Sequence, residues 1–161
     1  MSRSESPVAT GRDLRSLRYT EHFLAWAVRT SVACSPHCRM LQREFAHAFG
    51  PDPVEGITAF HGWLIALSKG RRKLEIGRPG LIELTRDEEL MLALLGAAQA
   101  SEETRFMALG RFVMGAEPGA DLYEAARGLM TRLVQRGHAL PERPLPEVVP
   151  CAGVRPMLKA V

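Results

Sequence analysis

The chain of 161 residues, with 46% hydrophobic and 24% charged residues, has the composition of one globular domain of ordinary size. Its formal net charge of +3 is too small to indicate nucleic-acid binding by itself, and three cysteines, an odd number, do not make a disulfide framework. The sequence shows neither a secretory signal nor an apolar run long enough to span a bilayer, so we expect a cytoplasmic protein with no membrane partner.

The first elements are a polar segment and a helix. Residues 1–12 include Pro7 and Gly11 and are predicted to be a flexible tail. A helix capped by Asp13 or Thr20 follows, because its apolar residues recur at helical spacing.

Proline and glycine mark the next two helices. Ser35 and Pro36 are typical of the first two positions of a helix, and Gly50 is typical of the position after its end. A third helix is predicted to begin at Asp52, with Glu55 completing a capping box.

The segment 73–84 differs from the helical sequence around it. Two short apolar runs flank a Gly/Pro turn, which predicts a small β-hairpin. The following segment, 86–100, is apolar nearly all round, as is typical of a helix buried in a core. Thr85 and Glu88 form a second predicted capping box. Gly96 is predicted to allow a neighbouring helix to approach closely.

Two further helices, opened by Ser101 and Asp121, complete the predicted fold. From residue 139 onward the chain holds five prolines, so we predict an extended or partly disordered tail that could adopt polyproline II. The sequence thus predicts an all-α, single-domain bundle of about six helices around a buried central helix. The domain spans 13–138 and is flanked by tails at 1–12 and 139–161.

Cys34, His37 and Cys38 lie within one five-residue stretch at the start of the second predicted helix. Thiolate and imidazole groups are preferred ligands of Zn²⁺. A strong zinc signature has a second pair of ligands, which this stretch lacks. The same thiols would also suit redox sensing, because the positive end of a helix stabilises a thiolate. A small zinc or thiol site is therefore the second alternative, while the main interpretation requires no cofactor.

The order of predicted elements over 38–86 is two helices joined by a short turn, then a hairpin and a long helix. This order resembles that of a winged helix-turn-helix domain. The resemblance implies that Arg71, Arg72 and Lys73 lie at the base of the wing and Arg78 at its tip, where they would contact phosphates. The third predicted helix is rather apolar for reading base edges. DNA binding is therefore the first alternative.

Enzymatic signatures are missing from the sequence. It holds no nucleophile elbow, phosphate-binding loop, dinucleotide fingerprint or H-E-x-x-H motif. Its aromatic residues and seven methionines include residue types that are enriched in interfaces. We therefore predict a non-catalytic helical interaction or regulatory protein that binds another macromolecule. The favoured partner is a protein, either a different chain or a second copy of this one.

Overall fold

The computed structural model describes residues 9–34 and 38–143. Within these residues the predicted all-α fold is confirmed, with six α-helices and one small two-stranded antiparallel sheet. The elements in chain order are β1 Ala9–Asp13, α1 Tyr19–Ala33, α2 Arg39–Phe49, α3 Val54–Ser68, β2 Glu83–Thr85, α4 Arg86–Gln99, α5 Glu103–Met114 and α6 Ala120–Gln135. A 3-10 turn at Leu14–Ser16 joins β1 to α1.

The predicted central helix is α4. Ten of its fourteen residues are buried, and it packs against α1, α5 and α6. Its capping box forms as predicted: the Glu88 N–H donates to Thr85 Oγ1 at 3.1 Å, and the Thr85 N–H donates to Glu88 Oε2 at 2.8 Å. The helix therefore begins at a fixed point, and the other helices bury their apolar faces against it.

A layer of aromatic rings joins α1, α2 and α3. Phe45 contacts Phe23 and Phe60 edge to face, with ring centroids 5.3 and 5.2 Å apart. All three rings are buried. Edge-to-face contacts add to the free energy of burial, so this layer fixes the position of α1 against α2.

The small sheet is not the hairpin predicted at 73–84. Strand β2 pairs antiparallel with β1, with Ala9 opposite Thr85 and Asp13 opposite Glu83. The segment 73–82 contains no strand. Its backbone N–H groups donate instead to carboxylates in the first turn of α4, so the chain follows that turn rather than pairing with itself.

The described fold extends beyond the predicted domain of 13–138 at both ends. Strand β1 begins at Ala9. At the other end Leu140 is buried, and its backbone exchanges hydrogen bonds of 2.7 and 3.0 Å with the side-chain amide of Gln99. The rest of the predicted tails, 1–8 and 144–161, lies outside the described residues.

Helix α2 begins at Arg39 with Cys38 as its N-cap, and the Cys38 carbonyl accepts from the Gln42 N–H at 3.1 Å. The predicted cap of this helix, Ser35, and Pro36 after it lie outside the described residues. The predicted start of α3 was wrong. Helix α3 has no side-chain cap, and the expected capping-box carboxylate, Glu55, accepts a hydrogen bond from Arg132 of α6 at 2.6 Å.

A further start was also wrong. Helix α5 begins at Glu103 with Glu102 as its N-cap. The predicted cap, Ser101, has a positive φ of 57° and belongs to the turn after α4. A residue in this left-handed conformation cannot hold the extended backbone that an N-cap needs.

Gly96 does not serve the close helix approach that the sequence predicted. A Cβ built at this position meets no heavy atom within 4 Å. The glycine instead borders a cavity beside α4.

We therefore expect Gly96→Ala to raise the free energy of unfolding by about 1 kcal/mol, because alanine favours the helix and nothing obstructs its methyl group. Urea unfolding followed by circular dichroism measures the change. Gly56→Ala is the matched control: its methyl group would overlap the Phe49 ring, so it should be destabilising. A loss of stability in both variants would contradict the expectation.

Candidate functional site

The predicted zinc ligands are only partly placed by the structure. Cys34 is exposed at the end of α1, Cys38 is half-buried at the start of α2, and both are free thiols. His37 lies outside the described residues. Across 9–34 and 38–143, no group of three His, Cys, Asp or Glu side chains is arranged to hold a metal ion. The zinc or thiol site stays a prediction.

The four cations of the predicted wing have two different environments. Arg71, Lys73 and Arg78 are exposed. Arg72 instead forms a bidentate ion pair with Asp87 at the start of α4, and its guanidinium lies 5.5 Å from the centre of the Phe112 ring. Arg72 therefore holds the loop against α4 and α5. The other three cations, Arg71, Lys73 and Arg78, do not lie on a hairpin, so the predicted wing does not form in the described residues. DNA binding itself stays a prediction.

A buried ion pair lies under the same loop. Arg29 and Glu88, each 2% exposed, are joined by two hydrogen bonds of 2.6 and 2.7 Å. Arg29 also donates to the carbonyls of Leu81 and Glu83, at 2.5 and 2.8 Å, and the Gly77 N–H donates to Glu88 at 3.0 Å. Through these contacts the ion pair anchors the backbone of residues 77–83 to the core, so the role of the pair is structural.

An open groove runs between the first two helices on the surface of the protein. We call it the α1–α2 groove; its volume is about 540 Å³. Its lining residues are Tyr19, His22, Phe23, Trp26, Met40, Arg43 and Glu44. The lining is mostly aromatic and apolar, and Met40 is 65% exposed. Large apolar side chains held open to solvent mark a candidate interaction surface.

Tyr19 is held in place at one end of the α1–α2 groove. Its ring packs edge to face against His47, with centroids 5.5 Å apart, and lies 4.8 Å from the His138 ring. Burial raises the pKa of the Tyr19 hydroxyl, and the charge of Glu44 raises it further. Tyr19 therefore stays uncharged at neutral pH and presents an apolar ring with one hydroxyl donor.

The His138 ring that supports Tyr19 is uncharged at neutral pH. Burial lowers the pKa of its imidazole, and electrostatic interactions with His47 and Arg136 lower it further. A neutral ring packs against Tyr19 without the cost of burying a charge.

A second, more polar cavity of about 490 Å³ lies on the opposite side of α1, which we call the polar cavity. Its charged and amide lining residues are Arg12, Glu21, Glu89, Gln99, Glu102, Arg105, Glu142 and Arg143. Its apolar floor is formed by Leu92, Ala93, Gly96 and Ala100 of α4 and the turn after it. Sequence reasoning did not find it, since its residues come from β1, α1, α4, α5 and the chain after α6.

Glu21 anchors one end of the polar cavity and is 3% exposed. Its carboxylate accepts hydrogen bonds from Arg143 at 2.5 and 2.9 Å, from Arg12 at 3.0 Å and from the Arg18 N–H at 2.9 Å. Burial alone would raise the pKa of Glu21, but these hydrogen bonds outweigh burial and lower it. Glu21 is therefore ionised and fully paired, and it serves to fix the wall of the polar cavity.

Comparison with known protein families, with curated proteins and with solved structures found no match. Among the described helices, none combines the length and apolar character needed to cross a membrane.

Proposed function

We propose that this chain is a non-catalytic protein-binding protein that acts through the α1–α2 groove. The observation that carries the proposal is the exposure of Met40 and Tyr19, 65% and 39%, beside the half-buried Trp26. Aromatic residues and methionine are enriched where proteins bind one another. Such side chains at helical spacing on two adjacent helices suit a third helix that packs between them.

The occupant that the α1–α2 groove fits is a second copy of this chain. Met40 projects from α2 beside a recess lined by Tyr19 and Trp26, so one surface supplies both a projecting side chain and a place to receive one. A two-fold symmetric dimer requires such a self-complementary surface, because each patch meets its own copy.

The charges at the rim of the α1–α2 groove are also self-complementary. Arg43 and Glu44 are neighbours in sequence, line the same groove and have opposite charges. Neither side chain forms an ion pair within the described residues. Across a two-fold axis, Arg43 of one copy can face Glu44 of the other, which gives two equivalent ion pairs.

The test is sedimentation equilibrium of the full chain over a range of concentrations. We expect a reversible monomer–dimer equilibrium that Met40→Glu weakens by roughly a hundredfold, because the substitution buries an unpaired charge. Ile65→Glu is the matched control, since Ile65 is 63% exposed on α3 and does not line the groove. A monomer at all concentrations, or equal effects of the two variants, would overturn the proposal.

Charge reversal tests the two-fold arrangement directly. Arg43→Glu alone and Glu44→Arg alone should each dissociate the dimer, because each places like charges at both rim contacts. An equimolar mixture of the two variants again places opposite charges at both contacts and should form a heterodimer. A mixture that stays monomeric while the wild type dimerises would rule out the symmetric pairing.

A further inference from the structure

We infer that the polar cavity binds a free α-amino acid with an apolar side chain, with Arg105 holding its carboxylate and Glu102 its ammonium group. This site lies on the opposite side of α1 from the α1–α2 groove and does not depend on it. Its volume of about 490 Å³ falls within the range of roughly 300–1,000 Å³ that small-molecule sites occupy.

The guanidinium of Arg105 supplies the first observation. Its Nη1 donates to Glu102 Oε2 at 3.0 Å, but its Nε is buried and has no hydrogen-bond partner among the described residues. A buried donor without a partner is costly, and native proteins rarely keep one. The Nε edge of a guanidinium offers two parallel N–H groups, the geometry that matches the two oxygens of a carboxylate.

The charge balance of the polar cavity points to a zwitterion rather than a simple anion. Four glutamates and three arginines line it, so an anion would enter a site that already has an excess of negative charge. A zwitterion adds no net charge, because its ammonium group offsets its own carboxylate. Glu102 is 48% exposed and lies directly beside Arg105, so the two side chains present opposite charges next to each other. The carboxylate and the ammonium group of an α-amino acid are likewise close neighbours, because both are bonded to the same carbon.

The floor of the polar cavity fits an apolar side chain. Ala93, Gly96 and Ala100 lie at i, i+3 and i+7, and therefore on one face of α4 and the turn that follows it. Leu92 adds apolar surface beside them. At the far end Glu21 is already paired with Arg12 and Arg143, so it does not require a charged ligand group.

Isothermal titration of the full chain with L-leucine tests the inference. We expect a dissociation constant of about 1 mM or tighter, given what a ligand of this size gains per atom. Isoamylamine lacks the carboxylate of leucine, and isocaproate lacks its ammonium group. Each should bind roughly tenfold more weakly, or worse, since each loses one charged contact. Isocaproate binding as tightly as leucine would overturn the assignment of Glu102.

Substitutions in the polar cavity complete the test. Arg105→Gln should weaken leucine binding at least roughly tenfold, and Arg105→Lys should do the same because it keeps the charge but loses the paired donors. Gly96→Met should also weaken binding by filling the space over the floor. Arg111→Gln is the matched control on α5, since Arg111 is exposed and pairs with Glu117 outside the cavity. Circular dichroism confirms that each variant is folded. No binding by the wild type, or unchanged binding in all cavity variants, would refute the site.

Discussion

Glu88→Ala is expected to lower the free energy of unfolding by about 3–5 kcal/mol, which is a large part of the stability of a domain of this size. The substitution leaves Arg29 charged, 2% exposed and without its carboxylate. It also removes the acceptor of the Gly77 and Thr85 N–H groups, so two buried donors lose their partners. Urea unfolding followed by circular dichroism measures the loss.

Two controls separate the buried charge from ordinary charge deletion. Glu117→Ala breaks the exposed ion pair with Arg111 and should leave the free energy of unfolding nearly unchanged, because solvent screens an exposed pair. The double variant Arg29→Met/Glu88→Leu removes both buried charges and should cost less than Glu88→Ala, because no charge is left unpaired. If the double variant were less stable than Glu88→Ala, the unpaired charge of Arg29 would not be the cause of the lost stability.

The same residues explain why the sequence predicted α4 but not the strand pairing beside it. The capping box of Thr85 and Glu88 spans four residues and depends on local geometry, so sequence reasoning can find it. The partner of β2 is β1, about seventy residues earlier in the chain. The choice between that partner and a local hairpin depends on Asp87 and Glu88, which accept N–H groups from the loop before them.

The α1–α2 groove and the polar cavity differ in how much of each could be predicted from the sequence. Helical spacing predicts that Phe23 and Trp26 belong to the apolar side of α1, but only packing decides that Phe23 is 3% exposed while Trp26 is left half-buried in a groove. The polar cavity gives no sequence signal at all. Arg12, Glu89 and Arg105 belong to three different elements, and each by itself has the pattern of a surface charge.

The aromatic core provides the second large effect. Trp63→Ala should lower the free energy of unfolding by about 3–5 kcal/mol, because the indole is fully buried and packs against Phe60 at 6.0 Å between ring centroids. Two neighbouring helices pack beside the indole: Leu24 on α1 and Leu95 on α4 line a small gap next to the ring. A close-packed interior cannot fill the space left by an indole without moving these helices. Urea unfolding measures the loss, and Ile65→Ala, an exposed position on the same helix, should stay within about 0.5 kcal/mol of the wild type.

Trp63→Phe separates the packing of the indole from its polar atom. The Trp63 Nε1 is buried and has no hydrogen-bond partner among the described residues, so the folded state bears the cost of removing that donor from water, typically about 1–3 kcal/mol. Phenylalanine keeps a ring in the site but lacks the donor. We therefore expect Trp63→Phe to lose less than half of the stability that Trp63→Ala loses, as measured by the same urea unfolding. A loss equal to that of the alanine variant would show that the N–H group contributes a favourable contact, and that the volume of the ring alone does not explain its contribution to stability.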